Sequence, residues 1–291
     1  GKGDRVMIYT ANCVQWLIAF LAVQRIGAVI VPVSPIYTSF EIEYMLKDSG
    51  AETVICQDTN YCYVQEVFAS TPLKRAVVTN VADLVPPWKR LLGFLFDRVP
   101  TGKVEWDDRV LRFRSLLKSD PFRETPHMDP WKDLSYILYT GGTTGFPKGV
   151  PGNHIGMTSY VNDVTEDVAG EHLLEGEDVY LAVNPLFHIM ALGLCMAVGL
   201  NKGNCTLLMP VPQVDAILET VERHRARWML GVPALYRMIL ENDRLDRYDL
   251  GSLVYCYCGG DVLPVEVFKR WRERFGIPIY QVYGSTEAGH V

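Results

Sequence analysis

The chain has 291 residues, 48% of them hydrophobic and 21% charged, with 28 Lys and Arg against 34 Asp and Glu. That composition is too apolar for a disordered chain, and a net charge of −6 lacks the basic excess of a nucleic-acid binder, so no nucleic-acid partner is expected. No run in it reaches the ~18–20 apolar residues that a membrane-spanning helix needs, and seven scattered cysteines suit reduced thiols in a cytosolic protein better than a disulfide scaffold.

In chain order, Val6–Tyr9 reads as a strand and Val14–Ile26 as a helix stopped by Gly27. Val29–Val33 is a second β-branched run, and Thr38 with Glu41 three residues on forms a capping box for a helix ending near Gly50. Thr53–Cys56 and Ala76–Thr79 are further strands flanking a helix around Val64–Ser70. The rhythm breaks over 84–130, where Pro86-Pro87-Trp88 leads into Lys89-Arg90 and the apolar Leu91–Phe96. Two readings compete there: a helix packed on its own domain, and a surface-seeking segment over 88–96 that would make a peripheral membrane contact. Strands resume at Ser135–Thr140, Val179–Asn184, Cys205–Met209, Trp228–Leu230, Leu253–Cys258 and Ile279–Val282. Between them Val214, Ile217, Leu218 and Val221 repeat at helical spacing as an inward stripe. Strands alternating with helices predict an α/β fold with parallel sheets.

The most informative stretch is the strand–loop junction Ser135–Val150. An apolar strand runs into Thr140-Gly141-Gly142-Thr143-Thr144-Gly145-Phe146-Pro147-Lys148-Gly149. Glycines let the backbone approach a ligand, successive N–H groups and threonine hydroxyls form an anion nest, and Lys148 adds positive charge. The spacing is neither the Walker loop nor the Gly-x-Gly-x-x-Gly dinucleotide pattern. His127, His154, His172, His224 and His290 form no zinc-hydrolase pair, and no Gly-x-Ser-x-Gly elbow occurs. Cys256 and Cys258 alternate along a strand and read as buried structural thiols.

This loop resembles the phosphate loop of the adenylate-forming superfamily, which includes acyl-CoA synthetases, peptide-synthetase adenylation domains and luciferases; the Thr-Gly-Gly-Thr-Thr-Gly form is similar to that of fatty-acyl-CoA ligases. Many members carry Ser where this chain has Gly141, which removes one phosphate donor and leaves the backbone nest. Gly3-Asp4-Arg5-Val6, Pro185-Leu186-Phe187-His188, Gly231-Val232-Pro233-Ala234-Leu235-Tyr236, Gly259-Gly260-Asp261-Val262-Leu263-Pro264 and Tyr283-Gly284-Ser285-Thr286-Glu287 follow in the family's order and cover nearly the whole chain.

The resemblance implies two stacked α/β subdomains, 1–175 (with the irregular 84–130 insertion and the phosphate loop 139–150) and 176–291. It also implies that the C-terminal lid with its catalytic Lys, the hinge and a ribose-binding Asp lie beyond Val291, so that the sequence is a fragment. It implies ATP and Mg²⁺ as cofactors and coenzyme A as co-substrate. Thr140, Gly141, Gly142, Thr143, Thr144, Gly145 and Lys148 would hold the β- and γ-phosphates. Thr286 would contact the α-phosphate, Glu287 would ligate Mg²⁺, and Gly259, Gly260, Asp261, Tyr283, Gly284 and Ser285 would surround the nucleotide. Phe187, His188, Met190, Trp228, Gly231, Val232 and Gly259 would border the acid. His188 stands where amino-acid-activating relatives place Asp, which argues against an amino-acid substrate. The expected activity is a fatty-acyl-CoA synthetase for medium- or long-chain acids; an aryl-CoA ligase and a non-catalytic ATP-binding relative are the alternatives. The expected location is cytoplasmic or peripheral at a membrane, and a homodimer is held open.

Overall fold

The computed structural model describes residues 1–291 except 97, 125, 142–145, 288 and 291, and at 168, 171, 289 and 290 the backbone alone. The chain forms two compact units, Gly1–Gly156 and Met157–Val291.

The first unit is built on a seven-stranded sheet. Its strands are β1 (Arg5–Tyr9), β2 (Val29–Pro32), β3 (Thr53–Gln57), β4 (Arg75–Thr79), β5 (Val110–Arg112), β6 (Leu134–Tyr139) and β7 (Gly149–Asn153). They lie in the order β5-β4-β3-β1-β2-β6-β7, parallel throughout except for β7 against β6. Continuous apolar runs such as Met7-Ile8-Tyr9 are buried along their whole length, as parallel strands covered on both faces require. Met7, Val31, Val54 and Val78 pack with Ile42, Met45 and Leu46 of the helix Ser39–Ser49. That helix opens on the expected box, with the Thr38 N–H donating to Glu41 at 2.8 Å, and ends at Gly50 in the left-handed conformation.

All four strands expected before residue 80 form. Two others carry weak sequence signals. β5 has three residues, of which only Val110 is buried, so no alternation is visible. β7 reads Gly-Val-Pro-Gly-Asn, a poor strand former that survives at the sheet edge, where proline costs no ladder bond. The helix Pro87–Leu95 does form within the irregular region, but none of its side chains is buried; it is not the packed helix of the first reading.

The second unit holds a five-stranded parallel sheet. Its strands are β8 (Val179–Ala182), β9 (Cys205–Leu208), β10 (Trp228–Gly231), β11 (Tyr255–Cys258) and β12 (Ile279–Gln281), in the order β12-β11-β10-β8-β9. On the helix Val214–His224, Ile217, Leu218 and Val221 are buried, as the stripe predicts. Cys256 and Cys258 join the same core, where burial pushes both thiols up, Cys258 to about 12. All seven cysteines are free. After β8 the chain passes to β9 on one side, then returns to β10 on the other. Such a reversal opens a crevice at the carboxyl ends of the strands, where open α/β sheets bind ligands.

Candidate functional site

In the first unit the chemistry gathers where β6 leaves the sheet. The Thr140 N–H donates to the Lys148 carbonyl (3.1 Å) and the Lys148 N–H to Thr140 Oγ1 (3.4 Å), closing the loop at its base. Both ends of the loop are tied to the helix Ser39–Ser49. On one side the Tyr139 hydroxyl donates to Asp48 at 2.7 Å, and burial together with that carboxylate raises the phenol well above its ordinary range. On the other, Phe146 packs on Tyr44 (4.8 Å between centroids) and Phe40 (6.1 Å). Gly149 lets the return strand pass: a Cβ there would lie 3.3 Å from both Asp48 Oδ2 and Tyr139 Cζ. Gly141 and Lys148 are exposed and Thr140 half-buried. Gly142, Thr143, Thr144 and Gly145 lie outside the described residues. What is described offers an anion an exposed lysine side chain and a loop closed at its base by two hydrogen bonds.

The second unit contains a cavity of about 910 Å³ at the carboxyl ends of its strands. Asn184 and Pro185 follow β8, Leu230 and Val232 flank the end of β10, Gly260 follows β11, and Gln281 to Thr286 continue from β12. Its wall is apolar, with Val164, Met190, Leu194, Leu235 and Met238. Among the described residues no Asp, Glu, Lys or Arg lines it. A cavity of this kind suits an apolar ligand oriented by a few polar atoms.

Of the residues expected here, His188, Met190, Val232, Gly260, Tyr283, Gly284, Ser285 and Thr286 line the cavity. Gly259 stands just behind it, since a Cβ there would approach Met190 Sδ to 2.5 Å and Val282 Cγ2 to 2.9 Å. Gly231 is buried against Leu235 and Tyr236. Trp228 is wholly buried and stacks on Tyr255 (4.2 Å), and Phe187 packs on His188 (4.6 Å). Asp261 is exposed, its Oδ1 accepting from the Val262 N–H (2.7 Å). His188 is open on the cavity side, yet the protein around it lowers its imidazole below the usual 6.5, so the ring is neutral at pH 7.

Tyr160, Val164, Leu194 and Met238 also line the cavity without belonging to any recognised motif. Met238 had a signal, lying three residues after Leu235 on the helix Pro233–Leu240. Tyr160 and Val164 had none, because only the tertiary fold brings their turn to the cavity.

Glu287 is exposed, one residue beyond Thr286. Among the described residues no three His, Cys, Asp or Glu side chains converge on a metal position. Mg²⁺ keeps several waters and takes phosphate oxygens with one or two carboxylates, so a single exposed carboxylate is a donor set that such an ion accepts.

The mixed α/β architecture is that of the N-terminal adenylate-forming domain. The chain matches the AMP-binding enzyme family over residues 1–291 and belongs to it, as a member of the adenylate-forming superfamily. It is 29% identical over 296 residues to a long-chain-fatty-acid–CoA ligase of Bacillus subtilis, covering 100% of this chain and 52% of that protein. To 4-coumarate-CoA ligase 1 of Narcissus pseudonarcissus it is 31% identical over 296 residues, covering 100% of this chain and 49% of the relative. The chain thus spans about half the length of the curated relatives it matches. Its fold is similar to that of the anthranilate CoA ligase AuaEII in complex with anthranoyl-AMP, with a TM-score of 0.83, 22% identity, and 100% and 52% of the two chains covered.

Proposed function

We propose that the chain is the ATP- and acid-binding part of an AMP-forming acid–thiol ligase that converts a medium- or long-chain fatty acid to its CoA ester. The observation that carries this reading is the cavity: roomy, walled by aliphatic and methionine side chains, and uncharged among the described residues. An amino-acid substrate would leave its ammonium unpaired there, at a cost of several kcal/mol of desolvation.

The substrate carboxylate attacks the α-phosphorus of ATP. The new oxygen–phosphorus bond gives an acyl-adenylate, and the bond to the bridging oxygen breaks to release pyrophosphate. The thiolate of coenzyme A then attacks the acyl carbon, and AMP leaves with the carboxylate oxygen. Positioning and charge neutralisation supply most of the rate in such transfers. In this reading Thr140 and Lys148, with 141–145 between them, hold the β- and γ-phosphates. Tyr283 would pack on adenine beside Gly260 and Asp261, Thr286 would donate to the α-phosphate, and Glu287 would hold Mg²⁺, which would supply neutralisation of phosphate charge. His188 orients the acid as a neutral imidazole; Phe187 holds that ring.

The test is a panel of carboxylic acids, from benzoate to palmitate, scored by ATP-dependent pyrophosphate release. Long aliphatic acids should give the highest kcat/KM; a preference for benzoate or coumarate would replace this reading with the aryl one. In the same assay Gly259→Val should shift the optimum to shorter acids by pressing Met190 inward. An unchanged chain-length profile would show that Gly259 does not press on the cavity wall through Met190.

His188 makes a separate prediction. Because its pKa is depressed, the neutral form persists at and above pH 6.5 and is lost only as pH falls further. The KM for the acid should therefore stay flat from pH 8 to 6.5 and change below. His188→Gln should remove that acid limb and lower kcat/KM roughly tenfold. A profile identical to wild type in the Gln variant would exclude the role.

A further inference from the structure

The helix Pro87–Leu95 turns its apolar side away from its own unit. Trp88, Leu91, Leu92 and Leu95 follow helical spacing on one face, and all are 44–71% exposed, with Phe96 extending the stripe. On its other side a Cβ on Gly93 would lie 2.7 Å from Val99 Cγ2, Arg90 pairs with Asp83 at 3.2 Å while covering Phe94, and Arg90 and Phe94 border a groove shared with Leu117. Burial of the core therefore does not account for the stripe.

Charge says what does. The irregular region 84–130 carries nine Lys and Arg against seven Asp and Glu, in a chain whose net charge is −6. Lys89 folds over the Trp88 ring at 5.3 Å, and a groove of about 710 Å³ beside the helix sets Arg114, Lys118 and the Arg90–Asp83 pair among Leu91, Phe94 and Leu117. Cations bordering apolar side chains match a phosphate headgroup and the methylenes beneath it. A second copy of the chain fits poorly, because a two-fold contact would bring this basic surface against itself.

We propose that this face docks on the surface of an anionic phospholipid bilayer, with the helix lying in the interface plane. At nine residues the helix is far too short to span, and one amphipathic helix with a basic border binds reversibly. The proposal stands apart from the ATP-dependent chemistry, since none of these residues lies in the loop or the cavity.

Sedimentation with phosphatidylcholine vesicles, with and without phosphatidylglycerol, tests it. The chain should bind the anionic vesicles only, and high salt should release it. Leu91→Ser/Leu95→Ser and, separately, Arg114→Glu/Lys118→Glu should each lower the bound fraction at least about tenfold while leaving the melting curve and nucleotide binding in place. Absence of binding to anionic vesicles, or equal binding by the leucine variant, would overturn it. So would a concentration-dependent dimer that the leucine variant abolishes in the absence of lipid, which would give the face to a second copy.

Discussion

Replacing Lys148 with Ala should lower acid-dependent pyrophosphate release roughly 100-fold, the scale of losing one preorganised charge donor at a transition state. The side chain is exposed at the end of a loop whose base is held by the Thr140 N–H on the Lys148 carbonyl and the Lys148 N–H on Thr140 Oγ1, neither of which uses the lysine side chain, so its removal leaves the loop closed. The loss should thus be one of charge, with little change in thermal stability. Lys148→Arg should recover part of it, since charge returns with a different reach and donor geometry. Steady-state rates with varied ATP, read beside a melting curve, decide the matter. Rates within threefold of wild type would take Lys148 out of the phosphate site.

The second large effect is expected at a residue that no motif marks. Gly193 lies on the helix Ile189–Leu194, and a Cβ there would fall 1.8 Å from Tyr160 Cε1 and 2.3 Å from Cζ. Tyr160 is itself buried and lines the cavity. Gly193→Ala therefore drives the ring toward the cavity and strains the two packed helices. Overpacking of this kind costs about 1–3 kcal/mol, a fall in melting temperature on the order of 5 °C. The same displacement should shorten the longest acid accepted. Adding Tyr160→Leu to Gly193→Ala removes the obstacle, and the double variant should regain both the melting point and the longer acids. Neither property moving in the single variant would show that Tyr160 does not press on Gly193.

The strands were legible because their signal is local. A run such as Val54-Ile55-Cys56 is apolar on both faces wherever it is placed, and Gly27 and Gly50 stop helices through their own backbone freedom, at φ +71 and +66. The same locality explains what was hidden. β5 and β7 are held as edge strands by β4 and β6, through partners that no local pattern announces. The site divides along the same line. His188, Val232, Gly260 and Tyr283–Thr286 belong to contiguous motifs and line the cavity. Trp228 also sits at the end of a motif-rich strand, but its side chain is wholly buried against Tyr255. Strand alternation alone does not tell which layer covers a given face.

By itself the sequence determined the α/β class, most of the strands along the chain, the glycine- and threonine-rich loop with Lys148, and the family. Each rests on backbone constraints or on residue spacing within a short stretch. Tertiary structure decided what those elements face. It pinned the loop to Asp48 and Tyr44, brought Tyr160 and Met238 to the cavity wall, and turned the apolar stripe of Pro87–Leu95 outward. Periodicity reveals that a helix has an apolar side; only packing against distant residues settles whether that side is covered.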